Sequence, residues 1–188
     1  MRKIVLSMHV SLDGFVAGLK GEMDWIKLDD EVFDLVGGFT KEADTALYGR
    51  VTWEMMDGYW PTAADKPNAS KHDIEHSQWY NRVDKLVLTK TMRGKKADKV
   101  KFISDNIFSE INSFKQAPGK NVMIFGSPTA AHSLMEYSLI DEYWLFVNPI
   151  LLGQGIPLFA NIKNRIDLKP LETKVFHCGV TALHYAVE

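Results

Sequence analysis

Three short segments pair an apolar run with residues suited to holding phosphate. In Val122-Met123-Ile124-Phe125-Gly126-Ser127-Pro128-Thr129, an apolar strand passes through a Gly-Ser turn straight into a helix. Gly126 lets the backbone pass close to a bulky anion, and the free N–H groups and positive dipole of the helix start attract a pyrophosphate. The same turn also serves as a plain tight connection, since glycine is used wherever φ must be positive. In Leu47-Tyr48-Gly49-Arg50-Val51-Thr52-Trp53-Glu54 the order strand, glycine, helix recurs with a cation. Arg50 offers a rigid fork of donors, and Thr52 brings a hydroxyl and an N–H to the same group. The plainer alternative makes Arg50 a surface residue and Trp53 simple core. In Leu86-Val87-Leu88-Thr89-Lys90-Thr91 a buried strand ends in hydroxyl, ammonium and hydroxyl, which fit a phosphate monoester or a merely solvated strand end.

Other groups have weaker claims. Asp29-Asp30-Glu31 opens a predicted helix, where acids offset the dipole by roughly 0.3 to 1 kcal/mol. Asp13 reads as a turn residue, and Asp24 is a further acid. His72 and His76 stand four apart on a predicted polar helix, but no third ligand lies in sequence reach, so a solvated helix face is preferred and no metal is expected. The aromatic residues Trp53, Tyr59, Trp60, Trp79 and Tyr80 either shape a pocket or pack, with core as the default.

These residues need elements to position them, and the chain supplies strands and helices in alternation, without a Gly/Ser linker or fixed-period repeat. Residues 3–10 read as a buried strand, followed by the turn Leu12-Asp13-Gly14 and then Phe15-Val16-Ala17. A helix spans 29–39, a strand 43–48, and a short helix capped by Thr52 runs to Met56. After a loop rich in Pro, Ala, Asp and Asn come a polar helix over 71–82 and strands over 85–89 and 100–104. An amphipathic helix over 107–116, the apolar strand 122–125 and a helix over 128–137 complete this part. Residues 142–152 read as one long strand with Pro149 in it. Segments 168–178 and 180–187 form a closing hairpin that turns at Gly179. Early β/α alternation requires parallel strands with helices on the faces, and the late strand pairs add antiparallel ones, so an α/β fold with a mixed sheet follows. Ligands of such sheets collect at the carboxyl ends of strands, where all three phosphate-like segments lie.

Composition narrows the class. At 188 residues one domain is expected. Hydrophobic residues at 46% and charged residues at 24% describe a globular chain, which excludes a disordered one. With Lys+Arg 22 against Asp+Glu 24 and a net charge of −2, no broad positive field exists for nucleic acid. The sole cysteine, Cys178, forbids an internal disulfide and fits a reducing, cytoplasmic compartment. Ser7, His9, Ser11 and Asp13 interrupt the N-terminal apolar stretch, so it is no signal peptide, and no apolar run suits a membrane helix.

The order of the three loops, together with Ser11-Leu12-Asp13-Gly14-Phe15-Val16-Ala17-Gly18, Leu139-Ile140-Asp141-Glu142 and Asn148-Pro149-Ile150-Leu151-Leu152-Gly153-Gln154-Gly155-Ile156-Pro157-Leu158-Phe159, resembles the dihydrofolate-reductase-like superfamily. The resemblance covers essentially the whole chain. It is closer to the reductase (C-terminal) domain of the bifunctional riboflavin-biosynthesis deaminase-reductase.

The resemblance implies a three-layer fold with helices on both faces of the sheet, and NADPH along its carboxyl edge. Gly126, Ser127 and Thr129 would meet the pyrophosphate, and Arg50, Thr52, Thr89 and Lys90 the 2′-phosphate and adenosine. Val16 and Ala17 would face the nicotinamide through backbone groups, and Gly49 and Phe125 complete the set. Dihydrofolate reductases usually carry Gly-Gly where this chain has Gly126-Ser127; serine keeps the N–H and adds a hydroxyl, so the phosphate contact is retained. In those enzymes a lone buried acid on the first helix, preceded by a Trp, anchors the pterin. Trp25 and Asp30 have that spacing, so Asp30 is the candidate catalytic and substrate-binding acid and Trp25 its companion, with helix capping as the competing role for the acids. The implied activity is hydride transfer to a small heterocyclic or carbonyl substrate. True dihydrofolate reduction and a non-catalytic NADP-binding module are the alternatives. Riboflavin-type relatives pair as homodimers, so a homodimer is expected. The riboflavin-pathway role itself is not, unless the deaminase is a separate partner, because a deaminase with a zinc signature would normally be fused to it.

Overall fold

In a computed structural model, which describes residues 1–160 and 162–188, the chain begins β1 (Ile4–Ser11), β2 (Phe15–Ala17), α1 (Asp30–Glu42), β3 (Ala43–Gly49) and α2 (Arg50–Asp57). A 3-10 turn, Trp60–Asp65, leads to α3 (Lys71–Arg82), β4 (Asp84–Leu88), β5 (Val100–Ile103), α4 (Ile107–Gln116), β6 (Asn121–Phe125) and α5 (Pro128–Glu136). The chain ends β7 (Glu142–Asn148), β8 (Ile156–Pro157), β9 (Leu168–Val175) and β10 (Thr181–Val187). One eight-stranded sheet has the order β5-β4-β3-β6-β1-β7-β10-β9. Its pairings from β5 to β7 are parallel, and β10 then joins β7 antiparallel, with β9 outermost. The mixed sheet and the C-terminal hairpin are those that the alternation of elements predicts.

Side-chain alternation along the strands separates two cores, one on each face of the sheet. Ile4, Leu6, Met8 and Val10 of β1 pack with Val122 and Ile124 against Ile111 of α4 and Ala130, Ala131 and Leu134 of α5. Val5 faces the other way with Met123, Phe125, Trp144 and Phe146, under Val32 of α1, Trp53 of α2 and Trp79 and Tyr80 of α3. Helices therefore cover both faces, giving three layers. None of the described helices is long and apolar enough to cross a membrane.

Several boundaries differ from expectation, each for a local reason. The strand predicted over 142–152 stops at Asn148. There Ile150 N–H turns back to the Asn148 carbonyl at 2.8 Å, and Pro149 between them has no N–H to give a ladder. Thr52 does not cap α2: the helix starts at Arg50 behind Gly49, which leaves Thr52 in its first turn. Trp60–Asp65, predicted as loop, winds into a 3-10 turn with Pro61 at its start. The helix predicted over 29–39 continues to Glu42. The hairpin segment predicted over 168–178 ends at Val175, and Gly179 turns it with φ +87°. β2 and β8 form a small second sheet that no periodicity announced.

Candidate functional site at the carboxyl edge of the sheet

Helices α2 and α5 start at the carboxyl ends of the adjacent strands β3 and β6. Their N-caps, Gly49 and Ser127, supply no side-chain bond to the first turn, and neither first turn holds an acid. The first turns of α1, α3 and α4 all do. The Ser127 hydroxyl is committed elsewhere, accepting Gly49 N–H at 2.8 Å. Two helix starts thus sit side by side with their first-turn N–H groups uncapped, a pairing suited to an anion. Gly126 and Ser127 reach this geometry in the left-handed region, at φ +72° and +62°. A Cβ on Gly126 would lie 3.7 Å from Thr52 Cγ2, so the loops predicted separately as phosphate holders touch each other.

The third loop leaves β4, the neighbour of β3. Thr89 is buried, its N–H donating to the Ile103 carbonyl at 2.9 Å and its hydroxyl accepting Thr91 N–H at 3.2 Å. Lys90 is exposed. Arg50 pairs with Glu54 at 2.7 Å, a half-exposed contact one turn apart that a phosphate can outcompete. Thr89-Lys90, Gly49–Thr52 and Gly126–Thr129 consequently follow one another along β4, β3 and β6.

Beyond β6 comes β1, whose end turns into β2. Asp13, read from sequence as a turn residue, latches this turn to the segment after β7. Its carboxylate accepts the Ser11 hydroxyl at 2.6 Å, Leu152 N–H at 3.1 Å and Gly153 N–H at 2.7 Å. The Ser11 bond first, then the two backbone bonds, hold its pKa below the usual carboxylate value. Gly155 crosses the strand that holds Val16 and Ala17, where any Cβ would meet the Ala17 carbonyl oxygen at 2.3 Å. Gly155 therefore packs directly against the Ala17 backbone, beside the pairing of Ala17 with Ile156.

None of the four candidate acids is buried. Asp29 is the cap of α1: it accepts Val32 N–H at 2.9 Å and Cys178 N–H at 3.0 Å, and the Val32 bond leads in lowering its pKa. Asp30 is exposed at the first position of α1, and Asp24 is exposed in the preceding loop. Trp25 is half-buried and donates its indole N–H to the Glu22 carbonyl at 3.1 Å. The same loop is pinned to the sheet two residues on, where Lys27 N–H donates to Asn148 Oδ1 at 2.9 Å.

Two histidines were missed or misplaced by sequence. His9, on β1, stacks on Phe146 at 4.9 Å between ring centres and contacts Asn148 through Nδ1 at 3.2 Å; burial lowers its pKa to about 4. Its one signal was a lone imidazole in an apolar strand. The solvated face predicted for His72 and His76 is corrected for His76, which is 5% exposed with Trp60 4.0 Å away over its ring and Trp79 and Phe125 at its edges. Both its ring nitrogens lack partners among the described residues, and burial pushes its pKa down to about 3. His72 stacks on Phe33 of α1 at 4.3 Å between ring centres, and its ring lies tilted 5.3 Å from that of His76.

The family model described as the RibD C-terminal domain matches residues 2–182. The chain is 35% identical over 189 residues to the uncharacterized protein YyaP of Bacillus subtilis (strain 168), covering 98% of this chain and 94% of that protein. Among solved structures it is similar to a riboflavin biosynthesis protein of Shewanella sp. PV-4, with a TM-score of 0.76 and 23% identity over 100% of this chain and 99% of that one. It is also similar to dihydrofolate reductase from Enterococcus faecalis, solved with NADP(H), with a TM-score of 0.64 and 16% identity over 99% and 96%. At these identities the two structures speak for the fold, which is dihydrofolate-reductase-like.

Proposed function

The chain belongs to the family of the RibD C-terminal domain, and from that premise we propose that it is an NADPH-dependent reductase acting on a C=O or C=N bond of a small pteridine-, pyrimidine- or carbonyl-like substrate. The observation that carries this reading is the pair of uncapped, acid-free helix starts at Gly49 and Ser127, joined by a hydrogen bond at the carboxyl edge of the sheet. An anion with two adjacent phosphates matches two adjacent helix N-termini. NADP(H) is what the Enterococcus dihydrofolate reductase holds.

In this reading Gly126, Ser127 and Thr129 hold the pyrophosphate through backbone N–H groups, with Phe125 and Gly49 shaping the cradle. Arg50, Thr52, Thr89 and Lys90 surround the adenosine 2′-phosphate, and the two cations select NADPH over NADH. Val16 and Ala17 orient the nicotinamide through their backbone, steadied by the Asp13 latch. NADPH supplies the hydride when bound. Trp25 and Asp30, on the loop and helix start that follow β2, contact the substrate from the solvent side. The protein works as a single-domain homodimer in the cytoplasm.

The test is loss of NADPH absorbance against a panel of pteridines, pyrimidines and carbonyl compounds, with dihydrofolate and methotrexate as one arm. Turnover of at least one compound with NADPH preferred is expected. No turnover anywhere in the panel contradicts the reading.

A further inference from the structure

Resting on the reductase reading above, we propose that His9 is a catalytic residue of the site: its Nε2–H donates a hydrogen bond to the heteroatom of the C=O or C=N bond being reduced. Three observations lead there, beginning with Asn148. This side chain is completely buried at the end of β7. Its Oδ1 accepts Lys27 N–H at 2.9 Å, and its Nδ2 donates to the Phe146 carbonyl at 3.0 Å. A backbone N–H cannot accept and a carbonyl cannot donate, so the amide has only one orientation. Nδ2 therefore also faces His9 Nδ1 at 3.2 Å and, at the longer distance of 3.5 Å, the Val10 carbonyl, and the shorter contact takes its second proton.

The second observation follows from the first. A nitrogen that accepts from an amide carries no proton, so the neutral imidazole of His9 keeps its single proton on Nε2. That atom has no hydrogen-bond partner among the described residues, yet it is not one of the sealed polar atoms of the core, unlike the nitrogens of His76. His9 thus presents one free donor and no free acceptor.

The third is place. His9 is on the carboxyl half of β1, in register with Phe146, two residues before Ser11 and the turn into Val16 and Ala17. Its side chain lies on the face covered by α1, and the Trp25 loop is tied down beside it through Lys27 and Asn148. A substrate lying between α1 and the nicotinamide-facing backbone would meet this donor.

The chemistry suits a neutral donor. As hydride reaches the carbon, the π electron pair of C=O or C=N moves to the heteroatom, where negative charge gathers. A fixed N–H in a half-buried site stabilises that charge without reorganising. His9 keeps its proton, since losing it would leave an imidazolate. The heteroatom takes a proton from water, and the products are the C–H and O–H or N–H compound and the oxidised nicotinamide. Burial holds the imidazole neutral at physiological pH, so it favours an uncharged acceptor over a carboxylate or phosphate. Of the acids at the helix start, Asp29 is spent on Val32 and Cys178 N–H and Asp30 is exposed.

The experiment has one arm that needs no substrate. Full-length protein labelled with 15N in its histidines is examined by long-range 1H–15N correlation from pH 7 to pH 5. His9 is expected as the Nε2–H tautomer throughout, and Asn148→Asp is expected to move the proton to Nδ1 or charge the ring, because a carboxylate there demands a donor. The second arm measures NADPH affinity and turnover of the best panel substrate for His9→Ala and His9→Gln. NADPH affinity should stay within twofold for both, kcat should fall about a hundredfold for His9→Ala, and His9→Gln should recover a large part through its amide N–H. An Nδ1–H tautomer or a charged ring at pH 7 overturns the proposal, as does wild-type kcat in His9→Ala. Absence of NADPH binding or of any turnover in the wild type instead brings down the reductase reading and this proposal with it. The two failures are distinct, since in the first case NADPH still binds and reacts.

Discussion

Gly49 N–H donates to the Ser127 hydroxyl at 2.8 Å across 78 residues of sequence. This bond ties the start of α2 to the start of α5 and explains why a serine is held at φ +62°, a conformation that disfavours side chains. Ser127→Ala leaves the part-buried Gly49 N–H without its partner, so a loss of about 1 kcal/mol in urea unfolding is expected. NADPH affinity should fall in the same variant. If stability drops while NADPH affinity is unchanged, the shared cradle is not the phosphate site.

Arg50 separates cofactor choice from folding. Its contact with Glu54 is half-exposed and one helical turn long, worth about 0.3–0.5 kcal/mol. Arg50→Ala should therefore leave the unfolding midpoint nearly unchanged while raising the Kd for NADPH about tenfold, some 1.4 kcal/mol. The Kd for NADH, which lacks the 2′-phosphate, should not move. Equal weakening of both cofactors in calorimetric titrations would relocate the 2′-phosphate.

Stability should decline with acid through His76. Burial holds its pKa at about 3 in the folded protein, against about 6.5 in an unfolded chain. Between those values the unfolded chain takes up a proton that the folded chain refuses, so stability falls as pH drops, by about 1.4 kcal/mol per pH unit at most. His76→Leu should flatten that slope between pH 6 and pH 4, as read from urea midpoints. His9, with its pKa lowered to about 4, adds a slope of the same sign that His76→Leu leaves in place. A variant as steep as wild type would mean His76 is not buried in solution.

Asp13 acts at a distance from its own turn. Replacing it by alanine removes the acceptor for Leu152 and Gly153 N–H, and the segment between β7 and β8 should exchange its amide hydrogens faster than in wild type. The carboxylate's pKa is lowered in the fold, so the latch holds above the unfolded value and is lost as pH falls through the folded one. Unaltered exchange at 150–155 in Asp13→Ala would show that the segment is held by other contacts.

The strands β3, β4 and β6 were legible because each is a short apolar run that stops at a glycine or hydroxyl, at Gly49, Thr89 and Gly126. The phosphate loops were legible as separate turns; their contact through Gly49 and Ser127 was not, since nothing in either segment marks a partner 78 residues away. Residues 142–152 read as one strand because Ile150, Leu151 and Leu152 continue the apolar run, whereas Asn148 ends it by spending its amide on His9, Phe146 and Lys27. His76 looked solvated because its helix is polar in composition, and only the 3-10 turn that brings Trp60 over it makes it core. Spacing from Trp25 favoured Asp30, yet it is Asp29 that reaches both Val32 and Cys178, a pairing across 149 residues that no local pattern marks.

The most direct test of the account is thermal unfolding of the purified protein with NADPH, NADP and NADH at equal concentrations. A ligand present at about a hundredfold over its Kd adds about 2.7 kcal/mol, or roughly 5–10 °C in a chain of this size. NADPH and NADP should each raise Tm by that order and NADH by clearly less. An unmoved Tm with all three would contradict the account at its centre, because the paired helix starts at Gly49 and Ser127 would then hold no dinucleotide.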